Sequence, residues 1–285
     1  MISQTDGAKE LVRAVRACVP YAAGKLGTSE FEILAGLDTG VRKIPKHAFR
    51  HITMNAGIFP ITDEAVYEWV DYMKTSVLPT MDLIVEWSPS ALKQEHQYLN
   101  THSPTAKRTF LRALEPYYEP VSEDQYTRAF PAGSRVAIIS PFADSVRAQA
   151  ARLSEVWPVG LWSPDITILP IKTGYNPSFG GTGWLSEVKH WKAAVDYVVR
   201  RAKECGSTHA LVGCGALSLP ICAELKRGGL VAIHTGGATQ ILFGIKGRRW
   251  DNHSVISRFY NTAWVRPAAT EIPTYADEIE RGCYW

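Results

Sequence analysis

Short apolar runs alternate with amphipathic stretches along most of this chain, and that alternation constrains the fold more than any other feature. "YAAGKLG" (21–27), "DLIVEWS" (82–88), "SRVAIIS" (134–140) and "DITILPI" (165–171) are largely apolar, and the last three are rich in β-branched residues. Two more such runs lie within "HALVGCGALSLPICAELKRGGLVAIHTGG" (209–237). Strands of this kind are buried on both faces, which requires a helical layer on each side. The intervening segments have helical periodicity. "KELVRAVRACV" (9–19) places Leu11, Val12, Val15 and Val19 on one face. "TSEFEILAG" (28–36) starts with capping residues, and Thr62 caps "TDEAVYEWVDYMKTSV" (62–77). Further helices are expected over 103–118 with Pro104 in first position, over 141–157, over 184–206 closed by Gly206, and over 238–245. The expectation is an α/β, Rossmann-like fold with a largely parallel sheet and helices on both faces. A single domain over 1–285 is expected, with an irregular insertion near 37–61. The proline-containing tail 266–285 is expected to wrap the surface.

Composition narrows the function. Among 285 residues the net charge is only +3, and the longest basic cluster is Lys246 to Arg249. Nucleic-acid binders concentrate far more positive charge, so no nucleic-acid partner is expected. No apolar run is long enough to be a transmembrane segment. The N-terminus lacks the apolar core of a secretory signal. The five cysteines (18, 205, 214, 222, 283) are odd in number and contain no CxxC. That argues against a disulfide framework or a zinc ribbon, and a cytoplasmic location with reduced thiols is expected. The nine tryptophans are mostly core candidates, although aromatic faces also stack on sugars and bases.

The segment 209–237 reads strand, glycine turn, helix, strand, glycine turn. A dinucleotide fingerprint needs GxGxxG and an acidic residue ending the next strand. Gly213 and Gly215 fit, but Ser218 takes the third glycine's place and His234 ends the strand. NAD is therefore not expected, nor is haem. A methyltransferase reading, with S-adenosylmethionine, meets the same His234. No GxxxxGK[ST] is present, so a P-loop is excluded. What remains is two turns, Gly213-Cys214-Gly215 and Thr235-Gly236-Gly237, whose backbone N–H groups are able to approach a diphosphate. The competing reading is two tight turns with no ligand.

Other candidates follow from position. Glu30 lies near the start of a helix just after a strand, where a carboxylate binds a metal or sugar hydroxyls, acts as a base, or simply caps the helix. His234 ends a strand and is a candidate base or phosphate donor. Gln240 stands in the first turn of the following helix, placed to read a base or sugar hydroxyl. Glu86 and Trp87 lie near a strand's carboxyl end; Asp82 shares a face with Glu86. The glycine-rich loop 172–183 has the length of a lid and is bordered by Tyr175 and Trp184. His47 and His51 are four residues apart but lack an evident third metal ligand.

"GKLGTSE" (24–30) resembles the [KR]-[IL]-G-D-x-E segment of glycosyltransferases with the GT-D fold. "NAGIFP" (55–60) resembles a loop that follows in related proteins, and 211–237 resembles their closing strand–turn–helix–strand unit. The order is the same, and the matches span most of the chain. The resemblance implies transfer of a sugar from a nucleoside diphosphate-sugar to a hydroxyl of a glycan acceptor. Glu30 and His234 are then the catalytic candidates. Lys25, Gly27, Thr28, Ser29, Gly213, Cys214, Gly215, Thr235, Gly236, Gly237, Gln240, Lys246, Arg248 and Arg249 are donor-binding candidates. Glu86, Trp87, Tyr175 and Trp184 are acceptor-side candidates. The family motif also implies Mn2+ or Mg2+. Here Thr28 stands in the place of its Asp, which puts metal dependence in doubt, because one carboxylate and a hydroxyl clamp a divalent ion poorly. Basic side chains, Lys25 or Lys246, Arg248 and Arg249, are then the candidates to neutralise a diphosphate. The alternative is a non-catalytic nucleotide- or glycan-binding protein on the same fold.

Overall fold

Seven parallel strands form one sheet in the order β3-β2-β1-β7-β6-β4-β5. They are β1 (Tyr21–Lys25), β2 (Leu83–Glu86), β3 (Lys107–Phe110), β4 (Arg135–Ser140), β5 (Thr167–Lys172), β6 (His209–Val212) and β7 (Val231–His234). The structure is a computed structural model that describes residues 1–38, 43–88 and 91–285. Residues 39–42, within the expected insertion, lie outside the described residues.

Alternate residues of the central strands feed two cores, as a pleat requires. Ala22, Ile84, Ala137, Val212 and Ala232 face one layer. It contains α2 (Thr28–Asp38), α3 (Lys46–Arg50), α4 (Asp63–Tyr72), α5 (Leu92–His102), α8 (Trp191–Glu204) and α9 (Ser218–Arg227). Ala23, Val85, Ile138, Leu211 and Ile233 face the other. That layer contains α1 (Gln4–Ala17), α6 (Ala143–Ala150), α7 (Leu153–Val156), α10 (Ala238–Leu242) and the C-terminal turns. The architecture is the expected Rossmann-like α/β fold. Among the described residues no helix is long and apolar enough to cross a membrane.

Several local expectations need correction. Helix α1 starts at Gln4 because the Ser3 hydroxyl accepts from the Asp6 N–H at 3.0 Å, and it stops where Cys18 turns left-handed. The segment 103–118 is not one α-helix, and its only helical turns are 3-10 turns at Leu111–Leu114 and Pro116–Tyr118. It carries β3, and the Arg108 guanidinium donates to the Leu99, Ser103 and Ala106 carbonyls (2.6, 2.6 and 3.0 Å), closing the end of α5. The helix expected over 184–206 starts only at Trp191, where His190 caps it by accepting from the Lys192 N–H at 3.2 Å. The segment 141–157 divides into α6 and α7, and α10 ends at Leu242. The region 37–61 is not wholly irregular, since α3 runs into a π turn at His51–Asn55. The tail does more than wrap the surface. Tyr275, Ile279 and Trp285 enter the second core, and the Glu271 carboxylate accepts from the Asp144 and Ser145 N–H groups at 2.7 and 3.0 Å. Negative charge at the start of α6 complements its dipole.

Candidate functional site

Strands β1 and β7 are neighbours, with Ala23 opposite Ile233. From β1 the chain continues into α2 on one face of the sheet; from β7 it continues into α10 on the other. Where outgoing chains part in this way, a crevice opens at the carboxyl ends of the strands. Lys25 and Glu30 reach it from the β1 side, and His234 from the β7 side. Trp69, Met73 and Leu219 supply its apolar wall, and Gly215 and Ala216 of the first glycine turn complete the lining. Its side chains pack so closely that no part of it has room for a water molecule. A ligand enters only by parting these side chains.

Glu30 is folded back over Gly27, and a methyl group on Gly27 would stand 2.1 Å from a Glu30 carboxylate oxygen. Burial raises the Glu30 pKa, and its own backbone N–H and the Lys25 ammonium oppose the rise. The half-buried Lys25 has its ammonium 4.1 Å from the centre of the Trp87 ring. The Trp87 indole is held by donating to the Leu26 carbonyl at 2.6 Å. Burial lowers the Lys25 pKa; Glu30, Glu115 and Glu95 counter that, while Arg249 adds to it. A side chain on Gly236, which has φ +56°, would meet His234 at 3.5 Å and Lys25 at 3.7 Å. Both halves of the crevice therefore meet under the second glycine turn.

His234 has one available chemistry. Its Nδ1 lies 3.0 Å from the Val212 carbonyl, which only accepts, so Nδ1 carries the proton. Burial, with Lys25 nearby, pushes the pKa down to about 3. The ring is neutral at physiological pH and its Nε2 is an acceptor. It is a weak base and, in this tautomer, no donor to phosphate.

The first glycine turn is occupied by the protein itself. Gly213 N–H donates to Ile139 O at 2.9 Å, Cys214 N–H to Ser218 Oγ at 3.0 Å, and Ala216 N–H to Ala56 O at 2.9 Å. Gly215 has φ +61°, and a Cβ there would lie 2.4 Å from the Ala56 carbonyl oxygen. This turn holds the 55–60 loop against the sheet, assisted by Trp69, whose indole donates to Ala216 O at 3.1 Å. The Cys214 thiol is pushed up to about 12 by burial and is not nucleophilic.

The remaining candidates lie outside the crevice lining. Arg249 is exposed, 5.1 Å over the Tyr284 ring and 3.6 Å from Glu280. Thr28 is exposed and Ser29 half-buried at the start of α2. Thr235 is buried, its hydroxyl 2.6 Å from that of Thr239, and Gly237 lies under Trp250. Gln240 donates to the Tyr284 carbonyl at 3.0 Å, so its amide nitrogen faces the tail. Lys246 lies over Tyr260, and Arg248 binds Asp277 and the Trp285 carbonyl. Glu86 is wholly buried between His96 (3.0 Å) and Arg108 (3.4 Å), and Asp82 pairs with Lys226 at 2.7 Å. Tyr175 donates to Glu271 O at 2.7 Å, while Trp184 packs on Phe59 and Tyr197. The loop 172–183 is pinned by Asn176, which donates to Thr53 O and Ile58 O, both at 2.9 Å. His47 and His51 share one acid partner, Glu32, at 3.0 and 3.2 Å.

Sequence reasoning missed Glu115, Glu95 and Glu280, which all act electrostatically on Lys25 or Glu30. Each is committed to its own partner. Glu115 pairs with Arg112, Glu280 with Arg249, and Glu95 accepts from the Trp87 and Ser88 N–H groups. Their only sequence signal was the presence of acids in segments distant from the motif.

These residues do not suit the divalent ion that the resemblance implies. Thr28 offers a neutral hydroxyl facing solvent, and Glu30 shares its crevice with an ammonium. Among the described residues no three His, Cys, Asp or Glu side chains are grouped to hold a metal.

No family model matches this chain, and no curated protein matches it. Among solved structures it is similar to the selenomethionine-substituted structure of a domain of unknown function, number 1792. The TM-score is 0.46 at 11% identity, over 94% of this chain and 96% of the other. At that score and identity the likeness assigns no activity.

Proposed function

We propose that this protein is a glycosyltransferase that moves a sugar from a nucleoside diphosphate donor to a hydroxyl of a glycan. The observation that carries the reading is the convergence of Lys25, Glu30 and His234 in one crevice where β1 and β7 lie side by side, with Gly236 adjacent to Lys25 and His234. In this reading Lys25 lies against the diphosphate and stabilises the charge that develops as it leaves. Glu30 accepts the proton of the attacking hydroxyl. The acceptor oxygen bonds to the sugar carbon while that carbon's bond to the phosphate oxygen breaks, and the diphosphate leaves with the electron pair. The raised Glu30 pKa brings the base closer to neutrality, where general-base catalysis is most effective. His234 Nε2 accepts a hydrogen bond from a sugar hydroxyl.

A panel of UDP-, GDP- and dTDP-sugars tests the reading, with thermal stabilisation and sugar release both measured. At least one donor is expected to stabilise the protein and to be turned over. Glu30→Gln is expected to lower kcat by about 10²- to 10⁴-fold while the variant still binds donor. Unchanged turnover in a folded variant removes Glu30 from the mechanism. The closed crevice favours one rival, a non-catalytic nucleotide or glycan binder, which predicts binding without release of sugar.

A further inference from the structure

We infer that this crevice binds the donor's diphosphate through the Lys25 ammonium and the Arg249 guanidinium, and that binding needs no divalent cation. The inference rests on the transferase reading and concerns how its site handles charge. A diphosphate brings negative charge that has to be offset by a metal or by cations. The metal route lacks ligands here. Thr28 supplies an exposed hydroxyl in place of a carboxylate, and Glu115 and Glu95 are engaged by Arg112 and by the Trp87 and Ser88 N–H groups. A dication beside Glu30 would also have to sit next to the Lys25 ammonium, which repels it.

The cation route is already built. Lys25 is delivered by the last residue of β1, rests on the Trp87 face, and lies directly beneath the Gly236 turn. Arg249 is exposed and near enough to act electrostatically on Lys25, its guanidinium braced on Trp250 and Tyr284 at 5.6 and 5.1 Å. The Arg249–Glu280 contact is long, at 3.6 Å, and at the surface, so the guanidinium exchanges it for phosphate at little cost. Lys25 and Arg249 repel each other, and a diphosphate held by both would offset that repulsion.

The test is calorimetric titration of the full chain with UDP, GDP and dTDP at constant ionic strength, once in excess EDTA and once with Mn2+ or Mg2+. The expected result is a nucleotide that binds in EDTA with an affinity within about threefold of that with metal, well under 1 kcal/mol of difference. Lys25→Met is expected to weaken binding by about 10- to 100-fold, the worth of one charge-assisted hydrogen bond, and Lys25→Arg to retain most of it. Thermal melts of both variants without nucleotide separate lost binding from lost folding. Equal binding by a folded Lys25→Met variant overturns the inference. Binding that disappears in EDTA and returns with metal overturns it too, and leaves the transferase reading standing. No binding of any nucleotide under either condition overturns both.

Discussion

Gly24 and His234 show how far single residues set this site. A Cβ on Gly24 would lie 2.7 Å from His234 Cβ and 2.7 Å from Leu219 Cδ2. Both neighbours are buried in a sheet and a helix that have little room to move. Gly24→Ala is therefore expected to cost about 1–3 kcal/mol in denaturant unfolding, the usual range for overpacking. A neutral effect would mean that His234 is not seated against β1. His234 also has a pH signature. Its ordinary pKa is 6.5 and the folded value is about 3, so below pH 6.5 the unfolded chain takes up a proton that the folded chain refuses. Its contribution to stability is complete above pH 6.5 and is lost as the pH falls toward 3, at up to about 1.4 kcal/mol per pH unit. His209, also lowered by burial, acts in the same direction. Unfolding free energies measured across this range should show a shallower acid limb for His234→Gln than for the wild type. Identical limbs would contradict the buried neutral ring. At this scale Lys25, Glu30 and His234 were legible because glycine turns and strand ends mark them. The tautomer of His234 was not, because it depends on the Val212 carbonyl of a neighbouring strand.

The elements were legible where local signals and packing agree. Thr62 caps α4 as its sequence indicates, accepting from the Ala65 N–H at 3.2 Å, and Gly206 closes the turn after α8 with φ +64°. They were illegible where tertiary partners decide. The segment around β3 has a helical apolar period, but Arg108 is drawn inward to cap α5, and the backbone follows it into the sheet. The tail reads as polar surface chain. It is ordered by Glu271, which satisfies the first N–H groups of α6. Glu271→Ala is expected to destabilise by about 2–3 kcal/mol, because it leaves buried donors unpaired. Hydrogen exchange should show faster opening at Asp144 and Ser145; unchanged protection there would contradict the capping role. The loop 172–183 looked like a lid by length and glycine content. Asn176 is almost fully buried and bonded to two carbonyls of the 53–58 segment, so this loop serves as a clasp. Asn176→Ala should lower stability by about 1–3 kcal/mol. An unaffected melting temperature would restore a mobile loop.

At the scale of the whole molecule, the order of strands matters more than any motif. The last strand returns to pair with the first, so His234 at its end and a helix start near Glu30, far apart in sequence, share one crevice. Two glycine turns look equivalent in the sequence, and the fold gives them different partners. The Gly213–Gly215 turn holds the Ala56 carbonyl and lends Gly215 to the crevice lining, while Gly236 lies beside Lys25 and His234. That distinction arises only when the chain is assembled, because the Ala56 carbonyl that occupies the first turn comes from the opposite half of the sequence. The proposed place for a nucleoside diphosphate is beside Lys25 and Glu30, next to the second turn. A crystal structure of the protein soaked with its best-binding nucleoside diphosphate tests this most directly. The account predicts phosphate oxygens about 3 Å from Lys25 Nζ, beneath the Gly236 turn and between β1 and β7. Density for the nucleotide on any surface away from Lys25 would contradict it.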